Sequence, residues 1–162
     1  MNVESLNSLA GVGVLPNLPG IYALHLHLAQ PTQLAVGKLG VFNLRPGEYV
    51  YVGSARGPGG LRARLGRHLQ GNGIAHWHID ALRQVCQVCF FLCRTNPTSI
   101  EAPAGIPLEC SWSQALAAYP GAAIPMPGFG ASDCRHRCAA HLIGYRVSEV
   151  KWRDILQPGD YV

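Results

Sequence analysis

The stretch Gly20–Leu28, GIYALHLHL, sets Tyr22, Leu24, Leu26 and Leu28 on one side of an extended chain and Ala23, His25 and His27 on the other. A period of two marks a half-buried β-strand. Outward from it, Glu48–Gly53 (EYVYVG) is a β-branched and aromatic run behind the turn signal Arg45-Pro46-Gly47, and Gln33–Lys38 offers a short strand between the two. The glycine-rich loop Gly57–Gly60 then leads into Leu61–Leu69, where Leu61, Leu65 and Leu69 recur every four residues as one face of a helix. Trp77–Gln84 reads as a helical turn or a further helix, and Val85–Cys93 (VCQVCFFLC) as a buried strand. After a proline-rich linkage, Pro97–Pro107, the spacing of Leu108, Trp112, Leu116 and Tyr119 predicts a second amphipathic helix, ended by Pro120-Gly121. A last mixed segment runs from His141 to Val147. The expected fold class is α/β (α+β), a small central, mainly antiparallel sheet flanked by helices. It forms one domain over residues 18–162 behind a leader at 1–17.

With 162 residues, 48% of them hydrophobic, the chain can bury a single core without disulfides or metals. Its formal charge of +4 is modest, but no acidic residue lies between Glu48 and Asp80, while Arg56, Arg62, Arg64 and Arg67 all fall there. Such a cationic surface attracts polyanions such as nucleic acids or phosphorylated ligands. The bland alternative is a solvated basic helix face. The apolar run Leu9–Leu15 is too short and glycine-interrupted to span a membrane, and no basic export signal opens the chain, so the expected location is the cytoplasm. There the cysteines Cys86, Cys89, Cys93, Cys110, Cys134 and Cys138 are expected as thiols rather than disulfides.

Gly20-Ile21-Tyr22 followed by Tyr51-Val52-Gly53, then Arg64 to His68 on the next helix and Glu109 on a later one, resembles the ordered functional set of the GIY-YIG nuclease superfamily. A second layer covers most of the chain: VGKLG from Val36, GEYVYVGSA from Gly47, HWHID from His76, PGFGASDC from Pro127, and His141-Leu142. These segments are similar to a branch of that superfamily found alone or attached to endonuclease III-like DNA glycosylases. The resemblance implies a metal-dependent endonuclease, with DNA as the expected substrate and a DNA glycosylase-type repair protein as a candidate partner. It implies Tyr22 as general base or water-positioning phenol, Tyr51 beside it, Arg64 as phosphate clamp, and Glu109 as the protein ligand to magnesium or manganese.

Phosphodiester hydrolysis explains such a grouping, because it needs an activated water, a cation against the charge of the transition state, and usually a metal held by carboxylate. Arg64 suits the clamp, since its planar donor fork matches two phosphate oxygens. At about 100° per residue His68 lies roughly 40° from Arg64 on one flank of the leucine stripe, so both can face one site. Arg62 falls on the other flank and Arg67 further toward solvent; with Arg56 they are the expected nucleic-acid contacts. His76 is a further candidate beside the leaving group. Each residue also has a plain structural reading: strand tyrosines usually pack in cores, and Glu109 in a first helical turn suits the helix dipole. Only the ordered set favours a site. Without the chemistry, the same chain would be a non-catalytic nucleic-acid-binding module.

Cys134, Cys138 and His141 are spaced by four and three, which would place them on one helix face as zinc ligands. Cys110 is a conceivable fourth. Buried thiols are the preferred reading, and structural zinc the alternative.

Overall fold

The computed structural model describes residues 15–71, 76–95, 105–146 and 155–156; residues 1–14 of the expected leader, 97–104 of the proline-rich linkage and the end of the expected last segment at 147 lie outside the described residues. Seven strands and three helices follow in the order β1 (Gly20–Leu28), β2 (Thr32–Val36), β3 (Gly40–Leu44), β4 (Gly47–Ala55), α1 (Gly60–Gln70), α2 (His78–Leu82), β5 (Gln87–Thr95), α3 (Leu108–Ala118), β6 (Ala122–Ala123) and β7 (Leu142–Tyr145). The main sheet has the order β5-β1-β4-β7-β6 with antiparallel neighbours throughout, and β2 pairs only with β3. The expected α+β architecture is therefore present.

The alternation in β1 sorts side chains as the sequence reading expected, but the strand is not half-buried. Strand β5 takes its second edge and α3 covers its second face, so Gly20 to Leu24 are buried on both sides. On the first face Tyr22, Leu24, Leu26 and Leu28 pack with Tyr49, Tyr51 and the α1 leucines Leu61, Leu65 and Leu69. Across the sheet Ile21, Ala23, Val50 and Val52 pack under Leu108, Trp112 and Leu116 of α3. The strand expected at Gln33–Lys38 ends at Val36, because Gly37–Leu39 turns as a 3-10 helix and returns the chain as β3, which the sequence reading missed. The strand expected from Val85 begins at Gln87.

Part of the expected leader is integral to the fold. Leu15 is buried, and the carbonyls of Pro16 and Leu18 accept from the backbone N–H groups of Arg62 and Leu61 at the start of α1. Among the described residues no helix is long and apolar enough to cross a membrane.

Candidate active site

Tyr22 and Tyr51 project from the same face of the sheet, because Tyr22 pairs with Gly53, two residues along β4 from Tyr51. Their ring centroids are 6.2 Å apart. The glycine that closes the Tyr-Val-Gly triplet is a packing requirement: a Cβ at Gly53 would lie 2.5 Å from both Cζ and Oη of Tyr22. Gly53→Ala therefore has to displace the Tyr22 ring, with an expected overpacking cost of about 1–3 kcal/mol. A denaturant midpoint unchanged by that substitution would show that the ring is free to move aside.

Behind the tyrosines runs a buried polar chain. His68, 1% exposed, sits with Nε2 3.0 Å from the Tyr22 hydroxyl, and its Nδ1 faces Asp80 Oδ1 at 3.4 Å. A carboxylate on the Nδ1 side selects the tautomer with the proton there, which leaves Nε2 to accept from the Tyr22 O–H. Burial holds the imidazole pKa down to about 4, against the opposing pull of Asp80 and with help from the nearby Arg64 and Arg67, so His68 is neutral at physiological pH. Burial acts on Asp80 in the raising direction but is outweighed: its Oδ2 accepts from the backbone N–H groups of Trp77 and His76 and from Arg67, and the carboxyl lies below its usual range. The phenols are pushed the other way. Desolvation raises Tyr22 well above its ordinary value, and lifts Tyr51 to about 12 against the Arg64 charge.

An open cavity of about 630 Å³ lies around the edge of β4, lined among others by Tyr51, Ser54, Arg56, Arg64, His76 and Glu109. It forms there because β7 pairs with β4 only as far as Tyr51, beyond which a single bond from the Val52 N–H to the His141 carbonyl ends the ladder. Arg64 reaches it from α1 with its guanidinium 4.3 Å from the Trp77 ring centre, and its Nε is buried without a hydrogen-bond partner. Glu109 reaches it from the first turn of α3. Burial disfavours its charge, yet His141, Ser54 and Arg56 together hold its pKa below the usual value, so it is a carboxylate. The His78 ring accepts from the Gly130 N–H at 2.9 Å and fixes the Pro127–Gly130 loop across the floor.

Beside Glu109 the side chains of Cys110, Cys134, Cys138 and His141 bring their ligand atoms within 4.8 Å of one another, a group able to hold a metal ion. The segment carrying the last three is not the helix that the spacing suggested. It is a series of turns, with Arg137 at φ 60°, tied back by bonds from the Gly128 N–H to the Ala139 carbonyl and from the His141 N–H to the Phe129 carbonyl. Cys110 on α3, the conceivable fourth ligand of the sequence reading, joins the other three.

Residues 21–157 match the family described as "Domain of unknown function DUF123". The chain belongs to that family. No curated protein and no solved structure matches it.

In this DUF123 chain Tyr51, Arg56, Arg64, His76 and Glu109 thus share one cavity, while Tyr22 and His68 stand behind Tyr51 and do not line it. Two of the expected nucleic-acid contacts are engaged elsewhere. Arg62 donates from Nε to the Leu15 carbonyl at 2.8 Å, and Arg67 bonds Asp80 at 3.0 Å with its guanidinium 3.7 Å from the Trp77 ring centre. Sequence reasoning gave no role to Asp80, Ser54, Trp77 or the cavity residue Arg135. Asp80 and Trp77 stand in the HWHID segment and Ser54 directly follows Tyr-Val-Gly, so a signal was there; nothing in the sequence singles out Arg135.

Proposed function

We infer that this DUF123 chain is a metal-dependent nuclease that hydrolyses phosphodiester bonds, with DNA as its substrate. The observation that carries the reading is the meeting of Arg64, Tyr51 and the ionised Glu109 on one open cavity, with a neutral buried histidine behind the tyrosines. The ordered resemblance to GIY-YIG nucleases supports it.

Arg64 stands in the cavity lining, where its guanidinium would meet a phosphate, and its attraction grows as negative charge builds in the transition state. Arg56 adds charge at the rim. Tyr51 touches the cavity and orients the attacking water, while Tyr22 donates a hydrogen bond to His68 Nε2 and so holds the phenol pair in place behind it. Magnesium fits Glu109: the side chain is an ionised carboxylate on the cavity, and the cavity has room for the waters that magnesium keeps. Bound magnesium or manganese would supply charge neutralisation at the phosphate and a more acidic water.

The test is cleavage of a panel of labelled DNA and RNA structures in magnesium or manganese, with Arg64→Ala alongside. Robust cleavage that Arg64→Ala reduces on the order of a hundredfold is the expected result. Binding measured without metal should weaken with salt at a log–log slope of about −2 to −3, as expected for phosphate contacts from Arg56, Arg64 and Arg135. One observation favours the non-catalytic binding module instead, namely that Tyr22 is fully buried. Salt-dependent binding without cleavage of any substrate would establish that second reading.

A further inference from the structure

We propose that Cys110, Cys134, Cys138 and His141 Nε2 bind one zinc ion, and that His141 links this ion to Glu109 and thereby fixes the carboxylate in the cavity. The donor set comes from two separate elements. Cys110 stands on α3, next to Glu109, and is buried, whereas the other three come from the turns after the Pro127–Gly130 loop. A tetrahedral zinc with Zn–S distances of about 2.3 Å spaces its sulfurs roughly 3.8 Å apart. Cys110 and Cys134 stand with their sulfurs 3.6 Å apart, too far for a disulfide and close to that edge length.

The histidine points to the ligand independently. His141 is 3% exposed, and its Nε2 is buried without a hydrogen-bond partner, an expensive condition for a ring nitrogen. Its Nδ1 is 3.2 Å from Glu109 Oε1, at bonding distance but not aligned for a bond. A cation on Nε2 resolves both features: it satisfies the orphan nitrogen, and it confines the ring proton to Nδ1, facing the carboxylate. Carboxylate–histidine–zinc chains of this kind orient the ring and raise its basicity as a ligand. Three thiolates and an imidazole fill the tetrahedron, so the ion is structural rather than water-activating. The other group with ligand spacing, His25, Glu48 and Cys89, carries no such case: Glu48 already binds His25 and His27 at 2.6 and 2.7 Å, and Cys89 is exposed.

The consequence for cleavage rests on the nuclease reading, but the site itself does not. Elemental analysis of the full chain, purified in reductant, should find one zinc per chain. Cobalt in its place should give the intense visible bands of tetrahedral thiolate ligation, lost in Cys138→Ser. The link to Glu109 is read by chelator competition without nucleic acid: Glu109→Gln should weaken zinc binding about 10–100-fold, the usual cost of removing such a partner. Since a cysteine variant can fail to fold, the stoichiometry and cobalt spectrum of the unaltered chain decide the site alone. Absence of zinc, or a Cys110–Cys134 disulfide under the same conditions, overturns the site; full-strength zinc binding in Glu109→Gln overturns the link. Zinc binding that depends on Glu109 in a chain that cuts nothing leaves this inference standing and removes the nuclease. Cleavage by a zinc-free chain does the reverse.

Discussion

Glu109→Gln abolishes cleavage, by on the order of a thousandfold or more, and leaves nucleic-acid binding nearly intact. The glutamine has almost the shape of the glutamate, and the residue stands on the rigid first turn of α3 with Leu108 and Trp112 anchoring the helix to the sheet. What changes is the charge. The carboxylate is kept ionised in a largely buried position by His141, Ser54 and Arg56, an arrangement that makes sense where negative charge is needed to hold a cation. On the proposed reading binding rests on Arg56 and Arg64, which the substitution does not remove. The measurement is the initial cleavage rate across a magnesium series, beside DNA affinity by fluorescence anisotropy. If the variant cuts at the unaltered rate at every magnesium concentration, Glu109 is only an acid suited to a helix N-terminus, and the site loses its metal.

Local periodicity carried the fold as far as local information reaches. The alternation through Tyr22, Leu24, Leu26 and Leu28 assigned a face to each side chain, and the leucine spacing placed α1. That β1 is central and doubly covered depends on β5 and α3, far along the chain, and an alternating pattern with histidines on its second face gave no sign of either. The site divides in the same way. Motif order named Tyr51, Arg64 and Glu109, but depth is a property of packing: Tyr22 lies behind Tyr51 because the ring crosses Gly53 and reaches His68. The basic cluster has partners within the chain that its spacing does not show. Charge spacing cannot reveal that Arg67 meets Asp80 or that Arg62 holds the Leu15 carbonyl, since both partners are distant in sequence. Spacing grouped Cys134, Cys138 and His141 correctly but gave the wrong conformation, since their convergence comes from loop closure and from Cys110 on a helix contributed from elsewhere.

His68→Gln flattens the acid limb of the stability profile and slows cleavage at neutral pH. Burial holds the native imidazole to about 4, whereas an unfolded histidine titrates near 6.5. Between those values the unfolded chain takes up a proton that the native chain refuses, so native stability falls as pH drops from about 6.5 to about 4. The full loss from this one group is about 3 kcal/mol, and above pH 6.5 it contributes no pH dependence. Glutamine can accept from the Tyr22 hydroxyl and donate toward Asp80 but does not titrate. The unfolding free energies of the two proteins, measured between pH 4 and 7, should therefore converge or cross as acid is added, the variant losing less. The flexible amide also positions the Tyr22 hydroxyl behind Tyr51 less firmly than the buried ring does, so cleavage should drop by up to about 10²-fold, the cost of a small misplacement. Equal losses of stability in acid would mean that His68 is not held neutral in the native chain. Unchanged cleavage with the expected stability difference would keep the histidine buried and neutral but make its hold on Tyr22 irrelevant to the reaction, leaving Tyr51 and Arg64 to act without it.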